Sequence, residues 1–203
     1  MTAKRSNFSP SAYSYESIHE SDIPFMNERR MDHEAVVTSS GKICAMGGYR
    51  EKQRPDPRGI PLGTGKYEVT NTVEVYDPAK DSWSYRRPMP APIESHDAVL
   101  GADNKIYIMG GIGERKGPPL RDVFVYDPIQ DTWKIGPKMK IPRADPAAVS
   151  TPEGRIYVIG GTDIGAYKKR EQYNFYLPKK LEFYTGKVQD TVEVLDVSKL
   201  NQD

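Results

Sequence analysis

The side chains that could do chemistry are few. His33 and His96 each stand beside a carboxylate in sequence, in Asp32-His33 and His96-Asp97, and Asp145 sits in a matching place further on. Such a set would suit a metal ion. Zinc, however, wants three or four ligands in tight geometry, and the chain has three histidines and one cysteine in all. Cys44 lies in the apolar run Ile43-Cys44-Ala45-Met46 and reads as a small buried hydrophobe, not a nucleophile with a partnered base. The glycine-rich stretch from Gly59 to Gly65 lacks the Gly-Lys-Ser/Thr ending of a phosphate loop; Lys66 is followed by a tyrosine. No serine-hydrolase elbow is present. The expectation is no catalytic residue, no metal and no cofactor.

The elements that must position these residues repeat. A strand ends in a double glycine, a Val-x-Val-Tyr-Asp-Pro strand follows, and a tryptophan comes after. The first unit has Gly47-Gly48, Tyr76 and Trp83; the second has Gly110-Gly111, Tyr126 and Trp133; the third has Gly160-Gly161 and Val192-Glu193-Val194-Leu195-Asp196, and the sequence stops where its tryptophan is due. Each unit parses into short strands. An apolar strand begins at His33, His96 or Pro146, and a hairpin signal follows at Ser40-Gly41, Asp103-Asn104 or Glu153-Gly154. The double-glycine strand comes next, then a loop of variable length, then the Tyr-Asp-Pro strand and the tryptophan strand. Paired glycine at a strand end marks close approach of another backbone or ring. Tyrosine and tryptophan suit packing between neighbouring sheets. A lone four-stranded sheet cannot bury both faces, and stacking such sheets radially solves this.

The Gly-Gly, Tyr-Asp-Pro, Trp pattern, with its lead-in Met139-Lys140-Ile141-Pro142-Arg143, resembles the kelch repeat and covers about Arg29 to Asp203 at the ~50-residue kelch period. The resemblance implies an all-β, kelch-type β-propeller of about three four-stranded blades, over about 29–90, 91–140 and 141–203. It makes His33 and His96 structural residues at the start of the innermost strands. Segment 1–28 is expected to supply an outer strand from Tyr13 to Met26. Propellers hold ~4 to 8 blades. Three readings of the count stand side by side: a piece of a larger propeller, two copies whose half-rings make six blades, or a degenerate blade hidden in the termini. An open half-propeller would expose large apolar sheet faces, which soluble monomers avoid.

In kelch propellers partners often meet the loops after the double glycine and those leading into the innermost strand. Carried over, the resemblance points to Tyr49, Arg50 and Asp163 in the first set and to Asp32, Ser95 and Asp145 at the channel mouth. Two post-glycine loops are long. The first runs from Tyr49 to Asn71; the third, Thr162 to Asp190, mixes lysines with Tyr173, Phe175, Tyr176 and Tyr184. Loops of this length are commonly functional or disordered, and aromatics and arginines are typical hot spots.

Composition bounds the rest. Lys plus Arg is 29 against 28 for Asp plus Glu, which argues against nucleic acid or an anionic membrane as partner. With one cysteine no intrachain disulfide forms, and no stretch has signal-peptide or membrane-span character. The expected setting is soluble and cytoplasmic, and the expected function is a scaffold that binds a protein partner. The runner-up is a sugar-active or small-molecule propeller enzyme. Related kelch propellers include copper-radical oxidases and sialate mutarotases, and a metal-free epimerase would draw first on Glu28, Arg30, Asp32 and Arg143.

Overall fold

The computed structural model describes residues 24–55, 61–113, 117–163 and 188–199 of the chain. Fourteen strands follow one another there, with one 3-10 turn, Val197–Lys199, after the last. The first blade is β2 (Glu34–Val37), β3 (Ile43–Met46), β6 (Val73–Asp77) and β7 (Ser82–Arg86), hydrogen-bonded in that order. The second is β8 (Asp97–Leu100), β9 (Ile106–Met109), β10 (Val123–Asp127) and β11 (Thr132–Ile135). The third has β12 (Ala147–Ser150), β13 (Arg155–Ile159) and β14 (Val192–Asp196). All pairs are antiparallel, so each blade is a meander. The fold is all-β, with antiparallel blades packed side by side, as the repeat implies.

Local chemistry explains the strands. Valine, isoleucine and aromatics fill them. The first turn of each blade is closed by a short backbone pair, such as Thr38 N–H to Lys42 C=O at 2.8 Å and Thr151 N–H to Arg155 C=O at 2.8 Å. Its tip residue, Gly41, Asn104 or Gly154, is left-handed at φ 75°, 61° or 82°. The turn between the outer strands works through its aspartates. Tyr126 Oη donates to Asp131 at 2.8 Å and Tyr76 Oη to Asp81 at 2.7 Å, each aspartate being left-handed.

The core lies between blades. Val36, Cys44, Met46, Val73 and Val75 of the first pack on Ala98, Ile106, Ile108, Phe124 and Tyr126 of the second. The other face of the second, with Tyr107, Met109, Val123 and Val125, packs on Ile156 and Val158 of the third. Trp133 stacks on Tyr126 at 4.6 Å between ring centroids, and its indole N–H donates to Arg87 C=O at 3.0 Å, in the segment arriving from the first blade. Trp83 lies 5.4 Å from Tyr76 and donates to Pro24 C=O at 3.0 Å. Each indole therefore ties its blade to the segment leading into it.

One expectation changes. The stretch from Tyr49 to Asn71 reads in sequence as a long loop, but most of it is a ribbon. β4 (Tyr49–Pro55) pairs with β5 (Pro61–Val69), and β1 (Arg30–Met31) joins β4 on its other edge. Opposite charges meet across the ribbon: Arg50 and Lys52 both reach Glu68, at 2.9 and 2.8 Å. Such cross-strand pairs favour a sheet where prolines and glycines suggest irregular chain. Residues 13–23 of the expected outer strand lie outside the described residues, and 24–26 carry no strand.

Candidate functional site

Three residues stand two places before the inner strands: Asp32, Ser95 and Asp145. All three are left-handed, at φ 51°, 52° and 49°. The turn this produces aims the backbone of each at the next blade. Ser95 N–H donates to Asp32 C=O at 3.3 Å, and Asp145 N–H donates to Ser95 C=O at 2.9 Å. Residues 63 and 50 positions apart thus form one continuous rim. Asp32 and Asp145 are exposed on it and Ser95 is buried. Asparagine and aspartate tolerate this backbone region better than most residues.

The post-glycine segments adjoin this rim through isolated bridges. Glu94 pairs with Ile112 and Ala144 with Thr162, while in the first blade Met31 pairs with Tyr49. Asp163 is exposed beside Thr162. Tyr49 is buried, so its ring supports the ribbon. Arg50 is partly exposed and held by two carboxylates, Glu28 at 2.6 Å and Glu68 at 2.9 Å. Tyr173 and Tyr176 lie outside the described residues. The structure therefore gathers Asp32, Ser95, Asp145 and Asp163 at one end and leaves Tyr49 and Arg50 structurally engaged.

Behind the double glycines lies a feature that sequence reading missed. The Arg143 guanidinium is buried against its own blade. It donates to Gly160 C=O at 2.5 Å, Thr191 C=O at 3.1 Å and Thr191 Oγ1 at 2.7 Å, and meets Glu193 at 3.2 Å. Glu193 also accepts the N–H groups of Lys140 and Ile141, at 2.6 and 3.0 Å. The first blade repeats this with Arg30, Gly47, Thr72 and Glu74, whose carboxylate accepts from Asn27 and Glu28 N–H. The second blade has Ile93 and Phe124 at the two places, and Pro90, with no N–H to satisfy, where the others have Asn27 and Lys140. The joint exchange of Arg, Glu and an N–H donor for Ile, Phe and Pro is visible in the sequence once the repeats are aligned. It was the available signal.

The inner wall carries titratable groups. Burial, then the neighbouring Asp97 charge, pushes the Glu34 carboxyl up to about 7. Burial also raises Asp97, whose carboxylate accepts N–H groups from Ala98 and, across the blade junction, from Ala148. His96 is fully buried and held down to about 4, first by burial and then by the His33 charge. Its Cε1 packs beside Gly47, and no hydrogen-bond partner reaches either ring nitrogen. That is a packed, neutral histidine. Burial pushes the Cys44 thiol up to about 11, far from a thiolate. Among the described residues, no three His, Cys, Asp or Glu side chains gather closely enough to hold a metal ion, and no helix is long and apolar enough to cross a membrane.

Comparison with known proteins bears on this arrangement. The family described as Kelch motif matches residues 35–90 and 98–140. Human "Kelch-like protein 28" is 27% identical over 99 residues, which is 46% of this chain and 15% of that protein. "Kelch-like protein 26" of Danio rerio is 32% identical over 84 residues, 41% of this chain and 11% of that protein. The aligned region is thus a small part of these relatives. The solved "Structure of YjhT" superposes with a TM-score of 0.55 at 16% identity, over 70% of this chain and 47% of that one, and so shares the fold.

Proposed function

We propose that this chain, a member of the kelch-repeat family, works as a protein-interaction scaffold whose partner is received on the rim of Asp32, Ser95 and Asp145. The observation that carries the reading is the backbone relay from Asp145 to Ser95 to Asp32. It ties loops of three blades into one surface before any partner arrives, and a preorganised surface loses less conformational freedom on binding. The exposed groups at this end, Asp32, Asp145 and Asp163, are carboxylates. They favour a partner that presents lysines, arginines or backbone N–H donors. The enzyme reading loses support because Arg30 and Arg143, the cations it would draw on, have fully buried side chains engaged by carboxylates.

The test is affinity capture with quantitative mass spectrometry on the wild-type chain and on Asp32→Asn/Asp145→Asn. Both positions are exposed, and asparagine tolerates their left-handed backbone, so folding should be retained. Partners of the wild type are expected to be lost from the double variant and kept by Lys80→Glu, on an outer turn. Partners insensitive to the rim and sensitive to the outer turn would overturn the assignment.

A further inference from the structure

The two outermost blade faces of the chain match each other. On the far face of the third blade the strand register sets Val149 opposite Tyr157, Tyr157 opposite Val194, and Ile159 opposite Val192. Cross-strand partners point the same way, so these five side chains share a face. Val149, Ile159, Val192 and Val194 are 41–54% exposed. The residues in the same places of the second blade are Val99, Tyr107, Met109, Val123 and Val125, and all but the partly buried Val99 are at most 8% exposed, against the third blade. Their counterparts in the first blade, Val36, Cys44, Met46, Val73 and Val75, are equally buried. A surface that is core in two blades is bare in the third, and a bare apolar face of this kind marks an association site.

At the other end, the near face of the first blade holds Ala35, Ile43, Ala45 and Tyr76, joined by register. Ala45 is buried, but Ala35 is exposed and Ile43 and Tyr76 are partly so, whereas Ala98, Ile106 and Tyr126 in the second blade are buried. The junction between the second and third blades supplies the template for joining these ends. There the second blade offers Val, Tyr, Met, Val and Val. The third receives them on Ala148, Ile156, Val158 and Leu195, over the Arg143–Glu193 pair. The bare far face repeats the offering set, with isoleucine for methionine. The near face of the first blade matches the receiving set at Ala35 and Ile43, carries Ala45 for Val158 and Tyr76 for Leu195, and lies over the Arg30–Glu74 pair that the second blade lacks.

We propose that a second copy of this chain covers both faces. The third blade of each copy packs on the first blade of the other, and two such contacts close a six-bladed, two-fold symmetric ring. Among the described residues the first and third blades do not meet each other: β2 and β12 each pack on β8. Head-to-tail contacts of one kind close when the rotation per copy allows it, and six blades is an ordinary size for a propeller. The occupant follows from the surfaces: the bare face needs an apolar sheet with an alanine and an isoleucine in the receiving places, and the first blade offers these, with Ala35 exposed and Ile43 and Tyr76 partly so.

Sedimentation equilibrium tests this. The wild-type chain is expected at the mass of two copies. Val194→Asp on the far face and Ala35→Asp on the near face should each weaken association at least about a hundredfold, because each buries an unpaired charge in the contact. Both positions are exposed in the single chain, so circular dichroism should show both variants folded. Mixing the two variants should restore a two-copy species, because one of the two contacts is then intact. A wild-type chain that stays monomeric at ~100 μM, including one that instead takes up blades of another protein, overturns the proposal. So does a dimer indifferent to both substitutions, or a mixture that fails to reassociate, which would mean like faces meet.

Discussion

The Arg30 guanidinium lies 2.6 Å from the Glu74 carboxylate, and both side chains are buried with no exposed surface. The pair spans 44 residues and sits behind the first double glycine, where Arg30 also holds Gly47 C=O. Removing one partner leaves a buried charge. Arg30→Met should therefore cost about 3–5 kcal/mol. The second blade shows how the site can be apolar instead, so Asn27→Pro/Arg30→Ile/Glu74→Phe, copying Pro90, Ile93 and Phe124, should recover most of that loss. Urea melts of the single, double and triple variants measure it, and a triple variant no better than the sum of its parts would refute the equivalence.

The double glycine receives the backbone of the segment entering the next blade. Gly111 N–H donates to Arg143 C=O at 2.8 Å, its φ is 87°, and a Cβ there would sit 2.5 Å from Glu94 C=O. Gly41 is also left-handed, at φ 75°, but a Cβ would meet nothing within 4 Å. Gly41→Ala should thus cost only the conformational strain, about 1–2 kcal/mol, and Gly111→Ala more than about 3 kcal/mol, since backbone must also move. Equal losses on thermal melting would show that close approach contributes nothing.

Stability should respond to pH through Glu34 and His96, with opposite signs. Between about 4.5 and 7 the folded chain keeps a proton on Glu34 that the unfolded chain has released, so this group makes stability fall as pH rises through that window. His96 is depressed from 6.5 to about 4, so its contribution is present above about 6.5 and is lost as pH falls toward 4. The gain in Tm of Glu34→Gln over wild type should therefore grow from about pH 5 to 7 and level off above. A gain that is flat across this range would remove Glu34 as the responsible group.

Trp133 ties the second blade to the segment before it by one hydrogen bond and stacks on Tyr126 of its own blade. Trp133→Phe keeps a ring and loses the N–H donor to Arg87 C=O. The expected cost is about 1 kcal/mol, with unchanged far-ultraviolet circular dichroism. Trp133→Ala should cost about 3–5 kcal/mol at most, the partly buried site setting the lower part of that range. Identical losses for both would assign the whole effect to the hydrogen bond.

Much of the fold was legible because its signals are local. Gly47-Gly48, the Tyr-Asp-Pro strand and the tryptophan recur at one spacing, and each names a strand or a turn without reference to distant residues. The ribbon from Tyr49 to Val69 was not legible: its prolines and glycines look like loop, and the Arg50–Glu68 and Lys52–Glu68 pairs that align it are set by register across a turn. Arg30 and Arg143 read in sequence as cations an epimerase could draw on, yet they turn inward to Glu74 and Glu193. Direction of a side chain is decided by the partner it finds, and that partner lies on another strand.

By itself the sequence determined the all-β repeat, the order of strands within each blade and the residues that turn the chain, because alternation and turn chemistry act over a few residues. Only the tertiary structure decided that Asp32, Ser95 and Asp145 share a backbone relay, that buried Arg–Glu pairs brace the first and third blades and not the second, and that Val149, Ile159, Val192 and Val194 stand exposed on the far face of the third. Those facts depend on how far one blade is rotated from the next. That rotation is set by packing between sheets, a sum over contacts some fifty residues apart that no local pattern encodes.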